Sequence, residues 1–425
     1  MNKSWALLLL SCVSLFEMAG VACAQGAGLG ANSFAIRNVR VFDGKRVFSR
    51  TTVVVIDGRV TAIGRRVNPP AAMAVIDGTG KTLLPGLIDS HVHVFPGAQA
   101  DALRFGVTTE LDMFNLSHEF ARWKAQRESL VQVADADTWS AGTGVTVPGG
   151  HPNQWVPEDM PRLRGADSAA AFIEARVAEG SDYIKLIVED NAAIDAANPL
   201  RTLSRPELCA SVSAARMRGK LAIAHVTNQP NARMAIECGV NGLAHTIVDA
   251  PMSAELVRLA KRRGVFAVTT LSLLAAAPAA SPGDLPVSAD VPLLSTSQQG
   301  SLSRTTPQVR PGQFSIALEN LRRLHDAGVT VLAGTDAPAP GTAHGVSMHG
   351  ELSLLVQAGF APTEALAAAT SVPAQIFGMA DRGGIRQGYR ADLLLVDGDP
   401  TVDIAATLRI DRIWKNGYAV DRAAR

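Results

Sequence analysis

The stretch Leu87-Ile-Asp-Ser-His-Val-His-Val94 carries the strongest structural signal in this sequence. It is a short, mainly apolar run of the kind that forms a buried β-strand. Residues two apart on a strand face the same side, so His91 and His93 would project together. Imidazole is a good ligand for zinc and related divalent ions, although two histidines alone could also be ordinary core residues.

Seven further strand-like runs follow and alternate with longer helical patterns. The eight runs cover residues 87–94, 107–113, 138–145, 183–188, 221–226, 242–247, 265–271 and 329–335. Segments 168–178 and 313–327 are typical of the helices between them. Eight strands that alternate with helices predict an α/β fold, a (β/α)₈ TIM barrel over residues 85–383.

The two ends of the chain contain short β runs instead. Residues 34–42 and 52–56 lie near the start, and Asp57-Gly58 is a tight-turn signal before a further run. Residues 391–398 and 409–417 show the same pattern near the end. We therefore predict a small β-sandwich domain formed by residues 25–84 and 384–425.

The first 24 residues have the composition of a secretory signal peptide. Lys3 gives a positive start, residues 5–16 are apolar, and Ala22-Cys23-Ala24 resembles a cleavage site. Because the apolar run is too short for a membrane anchor, we expect a periplasmic or secreted protein with no membrane attachment after cleavage. A lipoprotein acylated on Cys23 is the alternative.

The predicted mature chain keeps two cysteines, Cys209 and Cys238, both in helical patterns. A chain of this length can bury a full core and needs no disulfide framework. We predict two buried thiols, while a disulfide between them stays open.

The charge composition argues against binding to nucleic acid or to an acidic membrane surface. The sequence has 40 basic and 39 acidic residues, which gives a net charge of +1. Such partners require clustered positive charge. The expected partner is a small-molecule substrate, and the question of a homo-oligomer stays open.

Three more side chains of metal-ligand type stand at the ends of predicted barrel strands. His225 ends the fifth strand, His245 the sixth and Asp336 the eighth. With His91 and His93 they would meet at the C-terminal face of the barrel, where such folds carry their active sites. Buried polar groups without partners cost several kcal/mol, so a metal site is the economical explanation.

These residues and their surroundings resemble the amidohydrolase superfamily. The resemblance consists of the His-x-His pair, a lysine on the fourth strand, and the histidines and aspartate of strands five, six and eight. The flanking sequences agree; they are Leu84-Pro-Gly-Leu-Ile-Asp-Ser-His-Val-His93, Gly106-Val-Thr-Thr109, Gly239-Val-Asn-Gly242, Gly334-Thr-Asp336 and Ala391-Asp-Leu-Leu-Leu-Val-Asp-Gly398. Within the superfamily, the chain looks closest to imidazolonepropionase-like and Xaa-Pro dipeptidase-like enzymes.

The resemblance implies a centre with two divalent metal ions, zinc being the expected metal. The ligands it implies are His91, His93, Lys185, His225, His245 and Asp336. The strand-one histidines and the aspartate would bind one ion, and the other two histidines would bind the second. Lys185 would be N6-carboxylated and bridge both ions, because two dications repel an ammonium but attract a carbamate.

The resemblance also implies hydrolysis of a C–N bond by metal-bound hydroxide, with Asp336 as the catalytic proton acceptor. The substrate would be an N-acyl amino acid, a dipeptide or a cyclic amide. Hydrolysis of a lactone, carbamate or phosphoester is the alternative, because the same hydroxide attacks those groups. An inactive scaffold or binding protein is a remote alternative, since all six ligands are present.

Four residues are candidate substrate contacts: His151, Thr227, His344 and His349. His151 follows a Gly-Gly pair, as does a carboxylate-binding histidine in the dipeptidase-like relatives; a loop-stabilising role is the alternative. Thr227 stands where those relatives commonly have a tyrosine, which puts a proline-dipeptide substrate in doubt. The other two follow the eighth strand and could line the mouth of the site.

The crossover between the seventh and eighth strands is unusually long. Residues 275–312 are rich in Ala, Pro and Ser and lack helical periodicity. We predict a lid or a wall of the pocket there, with a disordered insert as the alternative.

Overall fold

The computed structural model describes residues 30–116, 119–277, 287–306 and 309–423. The signal peptide predicted at residues 1–24 lies outside these ranges, as do parts of the predicted lid. Among the helices within them, none has the length and apolar character needed to cross a membrane.

The first five strands of the described chain belong to the sheet formed by the two chain ends. They are β1 (Phe34–Phe42), β2 (Val47–Ile56), β3 (Arg59–Gly64), β4 (Val75–Asp77) and β5 (Lys81–Pro85). Asp57, with a φ of 50°, and Gly58, with a φ of 75°, form the predicted tight turn between β2 and β3.

The eight strands that follow pair in parallel. They are β6 (Leu87–Val92), β7 (Val107–Asp112), β8 (Asp137–Ser140), β9 (Ile184–Ile187), β10 (Ala222–His225), β11 (Gly242–Ala244), β12 (Phe266–Val268) and β13 (Val331–Leu332). They form one sheet in the order β6-β7-β8 and another in the order β13-β12-β11-β10-β9. Parallel bridges Val145–Leu186 and Val92–Ala337 join the two sheets. All eight predicted strands are present in a TIM-barrel-like α/β arrangement, and complete closure of the barrel stays a prediction.

Helices connect and cover these strands. They are α1 (Ala98–Arg104), α2 (Phe120–Glu128), α3 (Ala169–Glu179), α4 (Arg205–Met217), α5 (Gln229–Cys238), α6 (Ala254–Arg263), α7 (Leu271–Ala275), α8 (Thr296–Leu302), α9 (Gln313–Asp326), α10 (Val346–Gln357), α11 (Pro362–Ala368) and α12 (Ser371–Ile376). Helices α3 and α9 agree with the two predicted helices to within one residue. Ser204 precedes helix α4 as its N-cap, and its backbone N–H donates to Glu207 Oε2 at 2.9 Å.

The prediction of two buried thiols is wrong. Cys209 on α4 and Cys238 at the end of α5 form a disulfide, and both residues are half-buried. The two helices pack side by side and bring the two Cα atoms to 4.7 Å, which is within the usual range for a disulfide. Spacing along the chain did not reveal this contact because it depends on how neighbouring helices pack.

Helix α8 lies in the crossover that lacked a helical pattern. Its seven residues are too few to show periodicity, yet a capping box formed by Ser295 and Gln298 starts it. The Ser295 hydroxyl donates to Asp101 Oδ2 at 2.8 Å, and the Gln298 amide donates to the His344 carbonyl at 2.8 Å. The described part of the crossover is therefore docked against α1 and the segment before α10.

The C-terminal strands complete the sheet begun at the other end of the chain. They are β14 (Leu393–Asp397), β15 (Ile410–Lys415) and β16 (Tyr418–Ala419). The strand order is β16-β15-β14-β5-β1-β2-β3, with β4 paired to β1 and β14 antiparallel to β5. Phe34 stacks on Trp414 with ring centroids 4.8 Å apart in its core. Both chain ends thus build one sheet, and the division of that sheet into a two-layer sandwich stays a prediction.

Candidate metal centre

The six predicted ligands lie at the same end of the parallel strands. His225 is the last residue of β10 and Lys185 lies within β9. His91 lies in β6, and the remaining three, His93, His245 and Asp336, follow β6, β11 and β13 directly or within a few residues. The C-terminal ends of parallel strands meet at one face, so the fold brings these side chains together.

Short distances connect the six side chains. Asp336 Oδ1 lies 3.1 Å from His93 Nε2 and 3.3 Å from His91 Nε2. Lys185 Nζ lies 3.4 Å from His91 Nε2, and His245 Nε2 lies 3.2 Å from His225 Nδ1. The rings of His91 and His245 are 4.6 Å apart and link the two halves into one cluster.

Burial controls the charge of the cluster. It lowers the pKa of Lys185 to about 7 and that of His245 to about 3. Burial and neighbouring cationic groups hold the pKa of His91 and of His225 well below the usual range. Burial raises the pKa of Asp336, but the His93 hydrogen bond and nearby cationic groups outweigh it and hold that pKa below its usual value.

This donor set fits divalent metal ions. Ligand atoms of His91, His245 and Asp336 lie within 4.8 Å of one another. The two uncharged imidazoles and the ionised carboxylate surround this space, and both groups are preferred zinc ligands. The donor set therefore fits a divalent metal ion by the chemistry of its side chains. The six predicted ligands are held by five different strands or strand ends.

Asp89 fixes the backbone beneath the centre. Its carboxylate is fully buried and accepts hydrogen bonds from the His91 N–H at 3.2 Å and the Thr335 N–H at 3.0 Å. The Thr335 hydroxyl donates to its other oxygen at 2.7 Å. Asp89 therefore joins β6 to the segment that carries Asp336. Its role is not evident from the sequence, although it lies within the same motif as His91.

A second buried carboxylate holds His245 indirectly. Glu351, on α10, accepts hydrogen bonds from the backbone N–H groups of Thr270, Leu271 and Ser272 at 3.2, 2.9 and 2.8 Å. Thr270 Oγ1 in turn lies 3.1 Å from His245 Nδ1. Donation from Nδ1–H to this hydroxyl leaves the Nε2 lone pair facing His225.

Three residues of the centre have left-handed backbone conformations that side chains rarely adopt. The φ angles are 73° at His245, 146° at Thr270 and 60° at Asp336. Such conformations cost about 1–3 kcal/mol each and persist only where surrounding contacts enforce them. Their concentration here is typical of a functional site.

A cavity of about 910 Å³ opens above the cluster. Its wall is mainly apolar and includes Phe114, Trp155, Leu273 and Leu274. His151 and Thr227, two of the candidate substrate contacts, also line it. The volume suits a small molecule of substantial size.

His151 stands beside the cluster in an uncharged state. Its ring lies 5.0 Å from the ring of His225 and 5.4 Å from that of Trp155. Burial lowers its pKa to about 4. At neutral pH it can offer a substrate a hydrogen bond but no positive charge.

Thr227 is engaged by Glu189, which sequence reasoning missed. The Thr227 hydroxyl donates to Glu189 Oε2 at 2.6 Å, and the same oxygen lies 3.7 Å from His225 Nε2. Glu189 also lines the cavity. Glu189 lies two residues beyond the end of β9. Because alternate residues of a strand face the same side, it lies on the same side as Lys185, and this pattern could have identified it from the sequence.

The structure does not bring the other two candidate histidines to this cavity. His344 Nδ1 lies 2.5 Å from Glu110 Oε1, and His349 Nε2 donates to the Phe105 carbonyl at 2.9 Å. Both side chains are buried between α10 and the β7 side of the fold. They were expected at the mouth because they follow the eighth strand, but His344 just before α10 and His349 within α10 both face the interior.

Residues 82–420 match the model of the Amidohydrolase family. The chain belongs to the amidohydrolase family. It is an enzyme, a hydrolase that acts on carbon–nitrogen bonds. Family membership and enzyme class, both implied by the motifs, are thereby confirmed.

Curated relatives include imidazolonepropionases. The protein of Streptomyces griseus subsp. griseus is 29% identical over 393 residues, covering 86% of this chain and 92% of the relative. The protein of Salinispora arenicola is 27% identical over 395 residues, covering 87% and 92%. This amidohydrolase thus matches such relatives along most of their length.

Solved structures share the fold. A Xaa-Pro dipeptidase with bound methionine superposes with a TM-score of 0.72 at 21% identity, covering 92% of this chain and 100% of the other. A molinate hydrolase gives a TM-score of 0.72 at 22% identity, covering 92% and 95%. Sequence identity at this level shows a shared fold. It does not identify the substrate of this amidohydrolase, which has to be inferred from the cavity of this chain.

Proposed function

We propose that this amidohydrolase binds two divalent metal ions and hydrolyses the amide bond of a small molecule with a large apolar group. The observation that carries the proposal is the convergence of six ligand-type side chains beneath a mainly apolar cavity of about 910 Å³. Bound ions would lower the pKa of a water molecule towards neutrality and polarise the substrate carbonyl.

Asp336 is suited to move the proton in this reaction. Its carboxylate has a pKa below the usual range and lies at the cavity wall, 3.1 Å from His93 Nε2. It would accept a proton from the attacking water and deliver it to the leaving nitrogen, since amide cleavage requires protonation of that nitrogen.

Lys185 would be N6-carboxylated and contribute to both metal sites. It is 2% exposed and lies among imidazoles at the base of the cavity. Two metal ions would repel an ammonium at this position, whereas a carbamate would supply oxygen ligands and negative charge. Zinc is the proposed metal because imidazole and carboxylate oxygen are among its preferred ligands.

The wall of the cavity supports an apolar substrate. Trp155 is 77% exposed although it is a large aromatic residue, and its ring meets His151 edge-on. Phe114, Leu273 and Leu274 add apolar surface. An acyl or aryl group on the substrate would bury this surface on binding.

Export to the periplasm or the medium is part of the proposal. The leader pattern at residues 1–24 supports it, and so does the disulfide between Cys209 and Cys238. Disulfides persist in oxidising compartments and are rare in the cytosol.

Metal analysis and a substrate screen test the proposed function. The purified protein should contain two zinc ions per chain and cleave members of a panel of N-acyl amino acids, dipeptides and cyclic amides. Lys185→Ala should lose metal, and its activity should fall more than roughly 100-fold, because even residues outside the ligand shell can cost that much. Lys124→Ala, an exposed lysine on α2, should behave as the wild type.

Two outcomes would contradict the proposal. Cleavage of lactones or phosphoesters with every amide ignored would replace the proposed reaction. A Lys185→Ala variant that keeps two metal ions and full activity would remove the bridging role of the lysine.

A further inference from the structure

We infer that Arg304 forms an anion-binding subsite in the wall of the cavity and selects amide substrates that carry a carboxylate. The inference rests on the proposed function and names the substrate class for that site. It places the recognition of negative charge on the β12–β13 crossover, away from His151.

Arg304 lies directly beside the catalytic cavity. It follows α8 by two residues and lines the cavity together with Thr306 and Val309 of the same crossover. Thr306 is itself held by the Leu273 and Pro340 carbonyls, at 3.3 and 3.1 Å. The segment that presents Arg304 is thus anchored on both sides of the cavity.

The guanidinium is oriented yet keeps free donors. Its Nη2 donates to Ser301 Oγ at 3.0 Å and to the Pro338 carbonyl at 3.1 Å. A guanidinium has five N–H donors, and the described residues accept from Nη2 alone, so the donors on Nε and Nη1 remain for a ligand. A carboxylate can accept a charge-assisted hydrogen bond from one of these free donors of the planar guanidinium.

The hydrogen bond from Arg304 to the Pro338 carbonyl places the proposed subsite near Asp336. Pro338 is two residues after Asp336, and consecutive Cα atoms are about 3.8 Å apart, so their Cα atoms are separated by less than roughly 8 Å. A carboxylate on Arg304 and an amide at Asp336 can therefore belong to one small molecule.

Charge in the cavity makes Arg304 the suitable anion site. Within the described residues, its guanidinium forms no ion pair with a carboxylate, and it is the one arginine in the cavity wall. Lys185 belongs to the proposed metal centre, and His151 is uncharged at neutral pH. Of the acidic groups in the wall outside that centre, Glu189 is engaged by Thr227, and Asp195 accepts from Asn198 at 2.8 Å.

Arg304 is exposed at the mouth, so its effect on binding should be moderate. A partly solvated charge pair is weaker than a buried one, but a charge-assisted hydrogen bond adds to it. We expect about a tenfold preference for a carboxylate over its neutral amide, which corresponds to one such contact.

The test compares two substrates that differ only in this charge. N-acetyl-L-phenylalanine and N-acetyl-L-phenylalaninamide both release acetate when the acetyl amide is cleaved, and kcat/KM is measured from acetate. The wild type should favour the carboxylate about tenfold, and Arg304→Met should abolish the preference by lowering kcat/KM for the carboxylate alone. Arg304→Lys should retain part of the preference, because the positive charge remains while the fixed, planar donors of the guanidinium are lost.

Controls separate this inference from the proposed function. Arg258→Met, an exposed arginine on α6 outside the cavity, removes the same charge and should keep the preference. An equal loss on both substrates in Arg304→Met, or the same loss in Arg258→Met, would overturn the subsite while the hydrolytic function stands. If neither compound is hydrolysed, calorimetric titration of both decides the matter: equal affinity for wild type and Arg304→Met would overturn it.

Discussion

His245 shows how single residues prepare the proposed metal centre. Its imidazole is uncharged at neutral pH because burial lowers the pKa to about 3, and the Thr270 hydroxyl contacts its Nδ1. Its backbone has a φ of 73°, a conformation that a non-glycine residue keeps only under constraint. A ligand restrained in protonation, rotation and backbone conformation loses little entropy when it binds a metal.

His349 is a single residue that should make the stability of the protein depend on pH. Burial lowers its pKa to about 4, and Nε2 donates to the Phe105 carbonyl. Since the folded pKa lies below the unfolded value of about 6.5, the unfolded state binds more protons in acid. The stability associated with the neutral ring is complete above about pH 6.5 and decreases as the pH falls from there towards 4.

Replacement by glutamine should remove this contribution. Between pH 7 and pH 5, His349 should account for a loss of roughly 2 kcal/mol in the free energy of unfolding, and His349→Gln should lack that loss. Urea denaturation of both proteins at the two pH values measures it, because the other titrating groups are common to both. Parallel losses in the two proteins would show that His349 does not carry the effect.

At the scale of elements, α10 and α7 cooperate below the centre. Glu351 of α10 accepts the first backbone N–H groups of α7 and fixes Thr270, whose φ is 146°. The carboxylate thus both caps a short helix and holds the residue that orients His245. A neutral amide of the same size would place N–H groups against N–H groups.

Glu351→Gln should therefore weaken metal binding as well as stability. We expect the free energy of unfolding to fall by about 1–3 kcal/mol and metal affinity to fall by roughly 10–100-fold. Dialysis against graded chelator, followed by metal analysis, measures the second effect. Glu319→Gln on α9, which removes an exposed pair with Arg323, is the control and should change neither quantity appreciably. Metal retention equal to that of the wild type would exclude the positioning role.

At the scale of the whole molecule, the proposed metal ligands and a buried ion-pair network lie at opposite ends of the parallel strands. The proposed ligands lie at the C-terminal ends, whereas Asp137 begins β8 at the other end. Asp137 Oδ2 accepts from Lys415 Nζ at 2.7 Å and from Arg382 Nη2 at 2.6 Å. Asp137 and Lys415 are completely buried, so this network ties the barrel-like part to the terminal sheet.

Asp137→Asn should test how strongly the two parts depend on each other. Losing one partner leaves buried positive charge undercompensated, which costs about 3–5 kcal/mol in the free energy of unfolding. Asp411→Asn removes an exposed partner of Lys81 and should cost less than about 1 kcal/mol. Guanidinium denaturation of the two variants compares them. Equal losses would mean that the buried network does not join the parts.

Local patterns were sufficient to predict the main elements and five of the proposed ligands, whereas Lys185 was predicted from the family resemblance. Apolar runs located all eight parallel strands, and alternation along the first placed His91 and His93 on one side. Chemistry-bearing residues at strand ends then had to meet, because parallel strands share one C-terminal face. Short β runs at both ends of the chain also predicted one terminal β-domain, and the structure shows that β14 pairs with β5 in it.

Contacts between distant segments could not be read in this way. Glu351 meets Leu271 across 80 positions and Thr227 meets Glu189 across 38, and neither pair leaves a periodic trace. The same reason explains the inward turn of His344 and His349 and the disulfide between α4 and α5. Strand and helix periodicity arises from neighbouring residues. The support of the proposed metal centre and the charge of its cavity arise from packing, which exists only after the chain has folded.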